Sequence, residues 1–329
     1  MTGTIDELYT TTKRRACAEP VFKQSPLMKG SVPMLRKLAL TASALALSLG
    51  AFTSPALADH HEGEATGPAL WQLADEDTTI YLFGTIHVLP EDEAWYDDRI
   101  AQAFDGSEEL VFEISMDDME GSAEAMVGLA MLPEGQTLRS LMTDENRAEY
   151  EAALDSLGVP AAALDPIEPW AATLNLAMLP LMQAGWQPNQ GVEMVLRQRG
   201  EDKQRGALET IEEQVALFDT LPMNAQLELL DATVENLDRA VSSLDAMKAE
   251  WLEGDADALG ELMNAEMDDP ELYERLLVNR NRNWAEWIDN RMEQPGTVFI
   301  AVGAGHLAGK GSVQDLLAER GIAVERVGH

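Results

Sequence analysis

The chain has one cysteine in 329 residues, Cys17. It lies upstream of the segment read below as a leader, so the mature chain carries no thiol. That excludes disulfides, thiolate catalysis and cysteine-bound zinc. Positive charge is scarce as well: 23 Lys and Arg stand against 58 Asp and Glu, a net charge of −35. Such a surface repels nucleic acid and anionic lipid, and neither is an expected partner. The acidic residues are scattered through segments of helical pattern rather than gathered in a tail, which reads as a solvated surface suited to a saline medium. The sequence also lacks a G-x-S-x-G elbow, a phosphate loop of Walker type and an H-E-x-x-H helix. Gly303-Ala304-Gly305 lacks the third glycine of a dinucleotide loop, and His306 stands where the helix should begin.

From Met34 the chain reads Leu35-Arg36-Lys37, an apolar stretch from Leu38 to Phe52, then Ala56-Leu57-Ala58. A charged start, a short apolar core and a small-x-small cut site make residues 34–58 a secretory signal peptide. The apolar stretch is too short, and too rich in Ala and Ser, for a stable membrane span. Residues 1–33, with Lys13-Arg14-Arg15, read as a misassigned N-terminal extension, translation starting at Met28 or Met34. No cysteine follows the cut, so a lipid anchor is not expected. Removing residues 1–58 takes away 7 basic and 3 acidic residues, leaving 16 and 55 and a net charge of −39. The product is expected to be periplasmic or secreted. Residues 59–68 form a polar lead-in, and 69–329 form one domain.

The expected fold class is α/β, with one sheet built from strands at both ends of the mature chain and a large central helical insertion capping its rim. Leu70–Ala74 and Thr79–Phe83 flank Asp75-Glu76-Asp77 as a hairpin. Tyr96–Phe104 reads as a helix and Glu109–Ile114 as a core strand. From Met119 to Leu230 the pattern is mainly helical, with breaks at Pro133-Glu134-Gly135, Gly158-Val159-Pro160 and Gln187–Gly191 and a short strand at Gln204–Leu208. Long helices follow over Asn224–Leu252 and Pro270–Met292. The end returns to strand Thr297–Val302, helix Val313–Arg320 and strand Ile322–Val327.

Of five histidines, His60 and His61 sit at the processing site and His329 is the last residue. The other two close the same pattern behind a strand: Gly84-Thr85-Ile86-His87 and Gly303-Ala304-Gly305-His306. In open α/β sheets ligands bind outside the carboxyl ends of parallel strands, where both turns would fall. Imidazole there offers a metal ligand or a base near neutral pH. Glu113, ending the apolar strand Leu110-Val111-Phe112, would point into the same rim and can ligate a metal, orient an imidazole or activate water. Arg280-Asn281 lies beside Trp284 and Trp287; Arg280 and Arg282 near this apolar face can bind a carboxylate or polarise a carbonyl, or they can pair with Glu274 or Glu286 across helix turns. Glu209 leaves the short strand, with Thr210 a helix cap. Glu193 opens a helix, where its expected contact is with the helix dipole.

Taken together, Gly84–His87 and Val302–Leu307, with Leu208-Glu209-Thr210 and Gln214, and Arg280-Asn281 with Trp284, resemble the TraB/GumN family, which is related to the Tiki metalloproteases. The resemblance covers Leu70 to Val327. It implies an α/β hydrolase domain with a helical insertion and a site on His87, His306 and Glu113. It also implies a divalent metal, manganese or cobalt, although distant relatives of similar layout cleave an ester without a clear metal requirement. Many relatives carry Asp where this chain has Glu193. The expected protein is therefore an exported metal-dependent peptidase. His87, Glu113 and His306 would hold the cation (zinc and iron suit the same donors), and Arg280 or Asn281 would stabilise the oxyanion of a peptide or small ester or amide substrate. Two alternatives stand beside it: a metal-free hydrolase with a histidine base, and a non-catalytic binding or scaffold protein.

Overall fold

The first hairpin is closed by its own turn residue. Asp75 Oδ1 accepts from the N–H groups of Asp77 and Thr78 at 3.1 and 2.8 Å, so the acidic turn joins β1 (Leu70–Ala74) to β2 (Thr78–Thr85) as antiparallel partners. The computed structural model describes residues 67–115, 127–264 and 270–328. After the hairpin come α1 (Asp98–Gly106) and β3 (Glu109–Ile114). The helical block holds α2 (Leu138–Leu141), α3 (Asp144–Ser156), α4 (Pro169–Gln183) and α5 (Val192–Arg199). It continues with β4 (Gln204–Glu209), α6 (Ile211–Asp219), α7 (Met223–Glu235), α8 (Ala240–Glu253) and α9 (Ala256–Asn264). The chain then runs through α10 (Pro270–Tyr273), a π-helical turn (Glu274–Val278), α11 (Asn279–Arg291) and β5 (Gly296–Gly303). A 3₁₀ turn (Ala304–Leu307), α12 (Val313–Glu319) and β6 (Glu325–Arg326) complete it.

The six strands form one open sheet in the order β4-β3-β5-β2-β1-β6. The four from β4 to β2 are parallel, while β1 is antiparallel to both β2 and β6. β5, near the end of the sequence, enters between β2 and β3. Both ends of the domain therefore build the sheet and the middle supplies helices; β4 alone comes out of the helical block. Val298 to Val302 are all buried, the continuous apolar run of a strand covered on both faces. Phe299 and Ala301 pack with Phe83, α1, α4, α8 and α9, whereas Val298, Ile300 and Val302 pack with α11 and α12. Each large side chain so buried is worth roughly 1.5–3 kcal/mol. A one-residue slip would exchange the two faces, so the register of β5 is strongly held.

Several expected elements differ in extent. α1 begins at Asp98 rather than Tyr96, because the Asp97 carboxylate accepts from the N–H groups of Arg99 and Ile100 and sets the N-cap there. The helix expected over Asn224–Leu252 is two helices, divided by a 3₁₀ turn at Leu237–Arg239. Asn236 ends the first by turning its side-chain amide back onto the Ala232 carbonyl at 2.9 Å. The helix expected over Pro270–Met292 carries the π turn. Only Glu325–Arg326 of the expected last strand pairs with β1. The signal peptide, the extension before it, residues 59–66 of the lead-in and residues 116–126 lie outside the described residues. Among the described residues, no helix is long and apolar enough to cross a membrane.

Candidate active site

Strand register assembles the site. Thr85 pairs with Gly303 across β2 and β5, Phe112 with Ala301 across β3 and β5, and Ile114 with Glu209 across β3 and β4. Thr85, Glu113, Glu209 and Gly303 therefore end their strands at one carboxyl rim, and both G-x-x-H turns leave from it. Two of the glycines are demanded by close approach. A Cβ at Gly84 would lie 3.0 Å from the Ala304 Cα. A Cβ at Gly303 would lie 3.1 Å from Glu113 Oε1, 3.7 Å from His306 Cδ2 and 3.9 Å from His87 Nε2. The three residues singled out from the sequence thus converge around Gly303.

They are not equivalent. His87 keeps 38% of its side chain exposed and lines a cavity of about 230 Å³ shared with His306, Arg280 and the helical cap. Its Nδ1 lies 2.7 Å from Glu193 Oε1, and the same carboxylate accepts from Thr85 Oγ1. Among the described residues Nε2 has no protein partner. Glu193 reaches this position because α5 starts against the histidine turn: Val192 N–H donates to the Ile86 carbonyl at 3.0 Å. A Cβ at Gly191 would come within 2.0 Å of the His87 carbonyl oxygen. Its carboxylate thus does more than the expected helix-dipole contact. Glu193 raises the His87 pKa to about 9, against the opposing effect of burial. Burial, the largest single influence, pushes Glu193 up, but the charge of His87 together with the hydrogen bonds from His87 and Thr85 outweighs it, so the net direction is down.

His306 is 3% exposed and fully committed. Its Nδ1 lies 2.5 Å from Asn281 Oδ1. The Asn281 amide is oriented by Nδ2 donating to the Gly311 carbonyl at 2.9 Å, so Oδ1 is the acceptor and His306 Nδ1 carries the proton. The lone pair on Nε2 then accepts from Arg280 Nη1 at 2.9 Å. Burial, reinforced by Arg280, drops the His306 pKa to about 3. Glu113 does not line the cavity. Its Oε1 accepts from Gly303 N–H at 2.7 Å, and its Oε2 accepts from Arg280 Nη2 at 2.6 Å and Gln214 Nε2 at 2.8 Å. Burial alone would raise its pKa; Arg280, His306 and His87 outweigh that and hold it at about 2.

Arg280 is the centre of this network. Nε donates to Glu209 at 2.8 Å and Nη2 to Glu209 and Glu113 at 2.9 and 2.6 Å. Nη1 donates to the Leu276 carbonyl at 3.3 Å and to His306 at 2.9 Å. All five guanidinium donors are engaged. Asn281 spends its amide on Gly311 and, at 3.5 Å, the His306 carbonyl. In this arrangement neither residue has a donor to offer an oxyanion, the role expected for them. The acidic partners of Arg280 are Glu113 and Glu209, not Glu274 or Glu286; Arg282 pairs with Glu274 at the surface. Glu209 also accepts from Trp284 Nε1 at 2.9 Å, while Thr210 caps α6 as expected. The π turn lies directly before Arg280; it widens the helix where the guanidinium and the His306 ring must fit against Trp284.

The expected metal set can be tested on these contacts. Among the described residues no three His, Cys, Asp or Glu side chains are arranged to hold a metal ion. Glu113 Oε1 and His306 Nε2 are 3.9 Å apart, but Arg280 bridges the two residues, taking the one lone pair of His306 Nε2 and a bond on Glu113 Oε2. His87 Nε2 and one lone pair on Glu113 Oε1, which otherwise accepts only from Gly303 N–H, are left open. As folded, these residues do not fit a three-ligand metal centre.

A parallel rim that gathers a carboxylate-held histidine, a second histidine and a buried arginine–glutamate network defines an α/β protein with a histidine-bearing cleft under a helical cap. The chain belongs to the TraB/PrgY/gumN family, which it matches over residues 69–326. Similar proteins include an uncharacterized protein of Treponema pallidum (strain Nichols), 24% identical, covering 83% of this chain and 85% of the relative. The uncharacterized protein YbaP of Escherichia coli K12 is 23% identical over 77% of this chain and 92% of its own length. The metalloprotease TIKI1 of Danio rerio is 24% identical over 78% of this chain and 62% of that protein. No solved structure matches the chain.

Proposed function

We propose that the protein is an exported hydrolase of ester or amide bonds in which His87 is the acid–base residue and Glu193 holds it. The carrying observation is the pairing of His87 Nδ1 with Glu193 at 2.7 Å while His87 lines the cavity and its Nε2 has no protein partner among the described residues. A carboxylate on Nδ1 fixes the tautomer and leaves Nε2 to take a proton from water. The water oxygen bonds to the substrate carbonyl carbon, the C–O or C–N bond breaks, and the proton passes through Nε2 to the leaving group. The Arg280 network takes no proton in this scheme. It locks His306, Glu113 and Gly303 as a rigid wall beside His87. Because Glu193 raises the His87 pKa to about 9, the neutral base is the minor form at pH 7 and the rate rises with pH through that value.

The relative named as a metalloprotease favours a second reading in which a divalent cation binds at His87 Nε2. For His306 to join as a ligand, that reading requires Arg280 to leave its Nε2. One experiment separates the two. The mature protein, purified without chelator, is assayed against a panel of chromogenic esters and peptide amides from pH 6 to 10, beside His87→Gln and with Mn²⁺, Co²⁺ or chelator added. The proposal expects turnover that is indifferent to chelator, rises towards pH 9 and falls by about 10²–10⁴-fold in His87→Gln. Turnover abolished by chelator and restored by one ion per chain would establish the metal reading instead. Export is supported by the charged start, apolar core and small-x-small site of residues 34–58. N-terminal sequencing of the exported form should begin near Asp59.

A further inference from the structure

The cavity beside His87 has two unlike walls. The sheet rim supplies His87 and His306, and α11 adds Arg280. The helical cap supplies Met178 of α4, Leu244 and Met247 of α8, Leu259 and Met263 of α9, and Leu276 of the π turn. The chain carries 58 acidic residues, yet among the described residues no Asp or Glu lines this cavity. Its cap wall is therefore an apolar chamber inside an otherwise charged domain. Three thioethers make that wall polarizable and adaptable, suited to a flexible apolar group rather than a rigid polar one. Gly305 admits Met263 to it: a Cβ there would stand 2.3 Å from the Met263 Cε.

Size limits the occupant. The cavity is about 230 Å³, and an apolar cavity of roughly 150 Å³ accommodates benzene, so this one holds roughly nine carbon-sized atoms. Orientation follows from His87. The His87 side chain is both 38% exposed and part of the cavity lining, so it stands between solvent, the exit for the leaving group, and the chamber. Resting on the hydrolase reading above, we infer that the acyl part of the substrate carries an apolar group of about eight carbons, seated against Met178, Met247 and Met263, with its carbonyl carbon beside His87. The group can be the chain of a medium-length acyl ester or the side chain of a large apolar residue in a peptide. A sixteen-carbon chain is too long for the chamber, and a two-carbon chain leaves it unfilled.

The test uses p-nitrophenyl esters of two, four, eight and sixteen carbons, and peptide amides with Ala or Phe on the acyl side of the cut. Burying a methylene is worth about fourfold in kcat/KM. The expected series rises at least a hundredfold from two carbons to eight and drops at sixteen, with Phe exceeding Ala in the peptides. The larger of the two ratios, octanoyl over acetyl among the esters and Phe over Ala among the peptides, identifies the source of the group, because each ratio cancels the intrinsic reactivity of its bond. Leu244→Trp, which fills the chamber, should move the optimum to four carbons; Met178→Trp, at a half-buried position, serves if the first variant does not fold. Binding is read separately, as a saturable rise in Tm with octanoate in His87→Gln, where turnover is lost. Turnover that is flat across the series, with no octanoate binding, would overturn this inference and leave the hydrolase reading intact. Octanoate binding that is lost in Leu244→Trp, in a protein that cleaves nothing, would keep the chamber as a binding site and overturn the hydrolase.

Discussion

Replacing Arg280 by Met removes one buried cation from between two buried carboxylates. Arg280 is 4% exposed and Glu113 7%, so water cannot stand in for the guanidinium. Breaking a buried ion pair by deleting one partner costs about 3–5 kcal/mol, mostly because the other charge is left uncompensated. Glu113 and Glu209 both lose the same partner, and His306 Nε2 loses its donor, so the upper end of that range is expected. Against a typical domain stability of about 5–15 kcal/mol, the variant should fold but unfold at much lower urea.

The pH dependence of that variant is the sharper signature. In the wild type Glu113 is held at about 2, below its unfolded value. Its contribution to stability is therefore complete above about pH 4.5 and is lost as the pH falls through about 2. Without Arg280, burial becomes the dominant influence and the folded pKa moves above the unfolded one. The contribution then has the opposite sign: it is complete below the unfolded pKa and is lost as the pH rises through the raised folded value. Urea unfolding of both proteins at pH 5 and pH 8 tests this. The deficit of Arg280→Met should be larger at pH 8, and adding Glu113→Gln should recover part of it. A deficit below about 1 kcal/mol with no pH dependence would refute the reasoning, because it would mean that the carboxylates are hydrated or otherwise paired.

Two further variants probe the placement of the acid–base pair. Glu193→Gln should lower the His87 pKa, shifting the rising limb of the pH–rate profile to lower pH while lowering the maximal rate; an unmoved limb would show that Glu193 does not govern His87. Gly191→Ala should destabilise by more than 1 kcal/mol in urea titration and reduce turnover, because its Cβ would collide with the His87 carbonyl; a variant of wild-type stability and rate would show that α5 can withdraw from the histidine turn at no cost.

Much of the framework is local and therefore legible in the sequence. The hairpin at Asp75, the apolar strands before both G-x-x-H turns, and the placement of Glu113 at a strand end follow from periodicity and turn chemistry within a few residues. The strand runs at both ends of the domain, separated by a helical pattern, imply one two-ended sheet with a cap. Even the convergence of His87, Glu113 and His306 is implied by their common position after strands that run in parallel.

What each of those residues touches is not local. Arg280 meets Glu113 across 167 positions and Glu209 across 71, and His87 meets Glu193 across 106. By helix spacing Arg280 had nearer candidates in Glu274 and Glu286, and Glu193 had only its own helix end. Tertiary structure overrode both, because β5 enters between β2 and β3 and the start of α11, which precedes it, lies at the rim, while Gly191 lets α5 seat directly on the histidine turn. The choice among possible charge partners is made by burial: a guanidinium enclosed beside two carboxylates gains far more from them than from solvated glutamates a helical turn away. Sequence by itself determined which chemical groups reach the rim. Only the packed structure decided that one histidine is held by a carboxylate and keeps its other ring nitrogen open, while the other is held by an arginine.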